Sequence, residues 1–213
     1  MQKINSIAIV GLGTLGSQIA KQLASLNYNL TLIDFDTIEQ RNIPIQTLYT
    51  KEDLGKSKVL IAQKKLKQIN PKLKIKSYNE RLTEKNISLL ATADLVIECT
   101  DNLTTRFLIN DFCHKKIPLI HTAAFKSLAS FYIVTKNKPC LHCIYQSNLD
   151  LNDCRQSNIN PATAEKLSSL VLSQIKNIEK NKQEKRFLRI NMENNSIDKI
   201  KITRRCEKCQ KSS

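Results

Sequence analysis

The stretch Ile7-Ala-Ile-Val10-Gly11-Leu-Gly13-Thr-Leu-Gly16 decides the fold, because an apolar run leads directly into a G-x-G-x-x-G motif. Apolar residues then recur at helical spacing over residues 14–26, so the motif lies between a strand and a helix, as phosphate binding requires. In such motifs the first glycine permits a tight turn, the second lets a phosphate approach, and the third allows close helix–strand packing. We therefore predict that Gly11, Gly13 and Gly16 bind a nucleotide, and we rank the alternative, a simple turn, below it.

Apolar runs and helical patterns alternate along the first 125 residues. Strands are predicted over 4–10, 30–33, 73–78, 94–99 and 118–123, and helices over 14–26, 54–69, 84–90 and 102–114. This alternation is typical of an α/β, Rossmann-like fold with a mostly parallel sheet and helices on both faces.

The pattern changes after residue 125. Strands are predicted over 128–135, 186–191 and 197–203, with a helix over 161–180 and an exposed polar loop over 144–160. Because these strands are not regularly separated by helices, they predict a C-terminal antiparallel extension of the sheet. We expect one continuous globular domain, with a nucleotide-binding part at 1–135 and a C-terminal part at 136–213.

The composition narrows the class of protein. Hydrophobic residues make up 41% of the 213, enough to bury a core, and no apolar run approaches the ~20 residues of a membrane span. The net charge of +15 first suggests nucleic acid, but it is spread along the chain, aromatic residues are 5% and Trp is absent. An acidic protein partner fits the charge equally well, so nucleic acid is not indicated beyond the charge itself.

The seven cysteines point to metal ligands or reactive thiols. Because no cleavage site precedes the glycine motif, we expect no secretory signal and a cytoplasmic location, where thiols stay reduced. Cys140-Leu-His-Cys143 and Cys206-Glu-Lys-Cys209 form two C-x-x-C pairs, which together complete a closed tetrahedral zinc site of the structural kind. A redox pair would explain only half of this pattern. His142, inside the first pair, is expected to be a bystander.

Asp34 ends the second predicted strand, where a carboxylate accepts hydrogen bonds from ribose hydroxyls. A capping role in a turn is the alternative. Taken with the glycine motif alone, this residue equally suggests an NAD-dependent oxidoreductase.

Further motifs make the chain resemble the ThiF/MoeB-type adenylyltransferases, relatives of the ubiquitin-activating enzymes, over nearly its whole length. The resemblance is carried by the glycine motif, Ile33-Asp34-Phe35-Asp36, Asn42, Gly55-Lys56-Ser57-Lys58, Ile69-Asn70-Pro71, Glu98-Cys99-Thr100-Asp101-Asn102, Arg106 and the two cysteine pairs. The Cys-Thr-Asp-Asn segment after a strand separates this family from the dehydrogenases.

The resemblance implies an enzyme that uses ATP, Mg²⁺ and Zn²⁺. It assigns nucleotide binding to Gly11, Gly13, Gly16, Asp34, Asn42, Lys58, Asp101 and Asn102, and it assigns the metal-binding cysteines to the zinc. Asp34 would contact the ribose, Asn42 and Lys58 the phosphates, and Asp101 the magnesium ion. Arg106 would support the site by orienting Asp101.

The substrate implied by the resemblance is the C-terminal Gly-Gly carboxylate of a small ubiquitin-fold or sulfur-carrier protein, and the expected assembly is a homodimer. Cys154, in Asn152-Asp153-Cys154-Arg155, resembles the family's reactive cysteine, and a neighbouring arginine stabilises a thiolate. The alternative is an ordinary loop cysteine. Cys99 and Cys113 are expected to be core residues.

Two departures from the family pattern leave a second function open. Ile45 stands where family members usually carry a phosphate-binding arginine, and Arg41 nearby is expected to point elsewhere. Because the first strand is predicted at the very start of the sequence, we also expect the arginine-bearing N-terminal helix of many relatives to be missing. A non-catalytic subunit that binds a carrier or an enzyme is therefore the alternative to an adenylyltransferase.

Overall fold

The structure is a computed structural model that describes residues 3–136, 138–146, 159–203 and 206–210. Its first half alternates strands and helices. The strands are β1 (Ser6–Val10), β2 (Asn29–Ile33), β3 (Ile75–Tyr78), β4 (Leu95–Glu98) and β5 (Leu119–Phe125). The helices are α1 (Thr14–Ala24), α2 (Lys58–Ile69) and α3 (Leu103–Cys113).

The second half extends the same sheet. Its elements are β6 (Leu128–Val134), α4 (Leu141–Tyr145), α5 (Pro161–Glu179), β7 (Phe187–Asn191), β8 (Ser196–Ile200) and α6 (Glu207–Gln210). The strand order is β3-β2-β1-β4-β5-β6-β7-β8, parallel from β3 to β5 and antiparallel from β5 to β8. The predicted parallel sheet with an antiparallel C-terminal extension is confirmed.

The central strand β1 is buried on both faces, which is why it reads as a continuous apolar run. Ile7 and Ile9 pack with α1, α2 and α5, whereas Ala8 and Val10 pack with α3 and the cysteine pairs. Side chains alternate between the faces of a strand, so two cores form on opposite sides of one sheet. No helix within the described ranges is long and apolar enough to cross a bilayer.

Several predicted boundaries are wrong for local reasons. The helix predicted over 84–90 is only a 3₁₀ turn, Ile87–Leu90. Before it, the Asn86 side chain accepts the Thr83 N–H (2.7 Å) and donates to the Arg81 carbonyl (3.0 Å). Such side-chain bonds compete with the helix ladder. Helix α2 begins at Lys58 rather than residue 54, after Gly55 turns the chain at φ +74°.

Candidate active site

A cleft of about 580 Å³ opens at the carboxyl ends of β1, β2 and β4. In open α/β sheets ligands bind at this edge. Eight sequence-predicted residues line the cleft: Gly11, Gly13, Asp34, Asn42, Lys58, Asp101, Asn102 and Arg106. Gly16 packs beneath the loop rather than lining the cleft, and Cys154 lies outside the described residues.

The three glycines of the motif serve different purposes. Gly11 has φ +89°, and a Cβ there would lie 2.7 Å from the Cys99 carbonyl oxygen. A Cβ on Gly16 would lie 1.9 Å from the Gly11 carbonyl oxygen, so this glycine lets α1 approach the loop. A Cβ on Gly13, the N-cap residue of α1, would meet nothing within 4 Å. The space beside Gly13 is thus open to a ligand, and the helix N-terminus favours an anion there.

Asp34 holds the glycine loop by accepting a backbone N–H from it. Its Oδ2 accepts the Leu12 N–H (2.5 Å), and its Oδ1 accepts the Asp36 N–H (2.8 Å). Burial raises the pKa of Asp34 above its ordinary value, while these two amide bonds oppose the rise. The carboxylate is therefore held in one orientation, and it keeps lone pairs free to accept from a ligand hydroxyl in the cleft.

Lys58 is held in place by Asp36. The ammonium Nζ lies 3.0 Å from Asp36 Oδ2, and the Lys58 N–H donates to the Asp36 carbonyl at 3.0 Å. The lysine side chain is 8% exposed and that of Asp36 is 48% exposed. The cation is thus fixed on the cleft wall by a partner that solvent reaches.

The segment after β2 carries both the expected asparagine and the unexpected isoleucine. Asn42 Oδ1 accepts the Glu39 N–H (2.9 Å), which closes a short 3₁₀ turn, and Ile45 lines the cleft. Arg41 is also among the residues that line the cleft, but its side chain is 72% exposed and pairs with Glu39 at 2.6 Å, so its predicted direction away from the phosphates stays a prediction.

Asp101 lies between Thr100 and Asn102, and both of these neighbours are held by hydrogen bonds. Asn102 caps α3, since its Oδ1 accepts the Thr105 N–H at 2.8 Å. Arg106 donates from Nη2 and Nε to the Thr100 carbonyl, at 2.5 and 3.2 Å. The Asp101 side chain is exposed in the cleft and forms no hydrogen bond or ion pair within the part of the chain that the structure describes. An unpaired carboxylate exposed in the cleft suits magnesium, which takes oxygen ligands.

A buried charge cluster beneath this loop was missed by the sequence analysis. Glu98 Oε1 accepts the N–H and the O–H of Thr100 (2.7 and 2.6 Å) and lies 3.5 Å from Arg106 Nε. Glu98 Oε2 lies 2.6 Å from His121 Nδ1. Burial alone would raise the pKa of Glu98, but Arg106 and His121 bring it below its ordinary value. Burial lowers the pKa of His121, against the pull of Glu98. The one hint of this cluster in the sequence is Glu98 itself, a charged residue at the end of the apolar run of β4.

Phe35 and Arg81 form a second feature that the sequence did not indicate. The Arg81 guanidinium carbon lies 3.9 Å from the Phe35 ring centroid, and both residues line the cleft. Phe35 is 45% exposed, so its ring is accessible from the cleft. The contact arises because β2 and β3 are neighbours, which only the strand order reveals.

The four paired cysteines come together as predicted. The Sγ atoms of Cys140, Cys143, Cys206 and Cys209 all lie within 4.8 Å of one another, and all four residues are buried. Zinc–thiolate bonds of about 2.3 Å place tetrahedral sulfurs about 3.8 Å apart, so the cluster fits zinc. His142 lies beside the cluster but pairs with Asp111 at 2.7 Å.

The remaining two described cysteines differ from each other. Cys113 is fully buried, as expected of a core residue. Cys99 packs against the core but is only partly buried, because it also lines the cleft, with Sγ 3.5 Å from Thr122 Oγ1. Burial raises the pKa of the Cys99 thiol to about 12, so it is not a thiolate at neutral pH.

Comparisons with known proteins agree with this geometry. The ThiF family model matches residues 2–211. The molybdopterin-synthase adenylyltransferase of Escherichia coli is 37% identical over 147 residues, which are 67% of this chain and 59% of that protein. The sulfur carrier protein adenylyltransferase of Thermus thermophilus is 34% identical over 149 residues, 66% of this chain and 55% of that protein. The chain thus spans little more than half the length of these relatives.

The fold has close structural counterparts as well. The structure of E. coli MccB with ATP superposes with a TM-score of 0.79 at 20% identity, covering 96% of this chain and 66% of that one. At that identity the likeness concerns the fold alone.

Proposed function

Because the chain belongs to the ThiF family, we propose that it is an ATP-dependent adenylyltransferase that activates the C-terminal Gly-Gly carboxylate of a small ubiquitin-fold or sulfur-carrier protein. The observation that carries the proposal is the convergence on one cleft of the glycine loop, Asp34, Lys58 and the free Asp101 carboxylate. The names of the E. coli and T. thermophilus relatives support the same class of reaction.

In the proposed reaction, a carboxylate oxygen of the carrier attacks the α-phosphorus of ATP. The bond from the α-phosphorus to the bridging oxygen breaks, pyrophosphate leaves with the electron pair, and an acyl-adenylate forms. Asp34 accepts hydrogen bonds from the ribose, and the amides at the start of α1 contact the phosphates. The Lys58 ammonium stabilises negative charge that grows on the phosphate oxygens, in a site where such charge is little screened.

Asp101 would hold the magnesium ion, which when bound neutralises phosphate charge and orients the triphosphate. The residue suits this role because its carboxylate is exposed in the cleft and unpaired within the described chain. The cysteine cluster would hold zinc in a closed, structural site that joins α4 to α6.

Pyrophosphate exchange tests the proposal. With saturating ATP, Mg²⁺ and a carrier ending in Gly-Gly, labelled pyrophosphate should enter ATP, and Asp101→Ala should abolish this exchange. Asp198→Ala is the matched control, because Asp198 is an exposed aspartate on β8, away from the cleft. Absence of exchange with every carrier encoded near the gene would contradict the proposal.

A non-catalytic binding subunit is the second candidate, and Ile45 favours it. An isoleucine on the cleft wall cannot donate to a phosphate. Loss of one such donor costs about 3–4 kcal/mol of transition-state stabilisation in other enzymes. Calorimetry separates the two: tight carrier binding that ATP does not alter, without exchange, favours the subunit.

We also propose that Cys154 accepts the activated carrier. Its thiolate would attack the acyl-adenylate carbonyl, displace AMP and leave a thioester. Support comes from Arg155 in the sequence and from Ile159, five residues further along, which lines the cleft. Cys154→Ser should leave pyrophosphate exchange intact and remove any thiol-labile carrier adduct. A sulfur-transfer rate equal to that of the wild type would make Cys154 a spectator.

A further inference from the structure

The position of Asp101 depends on its backbone neighbours. Within the described residues its carboxylate has no hydrogen-bond partner, so nothing attached to the side chain itself orients it. On one side Asn102 is fixed as the N-cap of α3. On the other side Thr100 is fixed three times, by its N–H and O–H to Glu98 and by its carbonyl to Arg106.

The Arg106 guanidinium is itself held by a residue outside the cleft. Its Nη1 donates to the Tyr145 hydroxyl at 3.1 Å, while Nη2 and Nε donate to the Thr100 carbonyl. The arginine is only 5% exposed. A planar guanidinium with donors on both edges is fixed in its plane when both edges are bonded. Removal of the tyrosine oxygen would remove the bond that Nη1 makes to α4.

Tyr145 is the last residue of α4, the short helix that carries Cys143. Helix α4 is anchored to α3 by the Leu141 N–H, which donates to Asn110 Oδ1 at 2.8 Å. The Tyr145 ring also meets the Phe107 ring edge-on, with centroids 5.2 Å apart. The hydroxyl therefore has a defined position that the cysteine pair and α3 set together.

We propose that Tyr145 is a positioning residue for the Asp101 loop, acting through Arg106 and Thr100. The first cysteine pair thereby has a role beyond stapling the C-terminal segment, because it places the hydroxyl that holds the arginine. This inference rests on the proposed function in one respect: it takes Asp101 as the ligand of the magnesium ion that accompanies the nucleotide. Its effect should appear in the magnesium dependence of nucleotide binding.

The test is Tyr145→Phe, which removes one oxygen and keeps the ring. Binding of a non-hydrolysable ATP analogue is measured by calorimetry across a series of Mg²⁺ concentrations. The Mg²⁺ concentration for half-maximal enhancement should rise about 2- to 30-fold, the range for residues that act through a contact network. Binding without Mg²⁺ should match the wild type. Tyr28→Phe, at a half-buried tyrosine between α1 and β2, is the matched control and should change neither quantity.

A double-mutant cycle separates positioning from general structural support. Arg106→Lys keeps a cation beside Glu98 but cannot bond Thr100 and Tyr145 at once, so it should show the same Mg²⁺ shift. Tyr145→Phe added to Arg106→Lys should then produce no further shift, whereas independent effects would add. If Tyr145→Phe fails to fold, Tyr145→Leu, which also removes the acceptor oxygen, takes its place in the cycle, with the same expected result.

The outcomes are distinct. A Mg²⁺ dependence of Tyr145→Phe equal to that of the wild type overturns the inference, whatever Arg106→Lys shows, while leaving the proposed function standing. A wild-type protein that binds the analogue without any Mg²⁺ dependence overturns the metal role of Asp101 and this inference together. Additive shifts in the cycle show that Tyr145 does not act through Arg106.

Discussion

Two glycine substitutions should separate folding from nucleotide binding within the same loop. A Cβ on Gly16 would lie 1.9 Å from the Gly11 carbonyl oxygen, where ordinary contact begins at 3.4 Å. Gly16→Ala therefore requires α1 and the loop to separate by about 1.5 Å. The atom that the new Cβ would meet belongs to the backbone and cannot rotate away. The loss in free energy of unfolding is therefore near the upper end of the range for overpacking, about 3 kcal/mol. Alanine returns up to about 1 kcal/mol in helix propensity. The net loss is about 2 kcal/mol, which lowers the melting temperature by about 4–8 °C in a chain of this size.

Gly13→Ala is the matched partner. A Cβ there meets no protein atom within 4 Å, and Gly13 has φ −67°, which alanine accepts. The loss at this N-cap position should be under about 1 kcal/mol. The added methyl group occupies the space proposed for phosphate, so the affinity for ATP should fall about tenfold or more, equivalent to about 1.4 kcal/mol.

Thermal unfolding and calorimetric titration of ATP, on both variants and the wild type, give the four differences from the wild type that are required. The reasoning is refuted if Gly16→Ala melts with the wild type, or if Gly13→Ala binds ATP normally.

Three further predictions concern other parts of the chain. Asp36→Asn removes the charge partner of Lys58, while the cation stays in the cleft. The kcat for pyrophosphate exchange should therefore fall about 10-fold, with little change in the KM for ATP. An unchanged kcat would show that Asp36 does not position Lys58 for the reaction. Cys209→Ser should reduce the zinc content measured by mass spectrometry from one ion per chain and lower the melting temperature, whereas full zinc occupancy would contradict the four-cysteine site. Burial would raise the pKa of Glu184, but Arg186 and the neighbouring amides lower it to about 2, so its contribution to stability is present above pH 4.5 and is lost as the pH falls towards 2. In Glu184→Gln the free energy of unfolding, measured with urea, should therefore fall less steeply between pH 5 and 3 than in the wild type; equal slopes would contradict the pairing.

Local patterns in the sequence predicted the parts of the fold that depend on local forces. The β1–loop–α1 unit follows from an apolar run, three glycines and a helical period, and it appears as predicted. The cysteine cluster follows from two pairs whose spacing suits one metal, and the fold brings Cys140 and Cys206 together. Asn86 shows where local reasoning failed, because its side-chain bonds to neighbouring backbone replaced a helix that the apolar spacing favoured.

Contacts that depend on the strand order could not be predicted from the sequence. Glu98 on β4 meets His121 on β5 and Arg106 on α3, and their contact requires knowing that β4 and β5 are neighbours. The Phe35–Arg81 contact likewise joins segments that follow two adjacent strands. In both cases the residue types were visible, and their juxtaposition came only from the sheet.

The most direct test of the account is a crystal structure with a non-hydrolysable ATP analogue and Mg²⁺. We predict the triphosphate within hydrogen-bonding distance of the amides at the start of α1, a ribose hydroxyl on Asp34, and the metal ligated by Asp101. A nucleotide bound elsewhere, or a metal that Asp101 does not touch, would contradict the central claim.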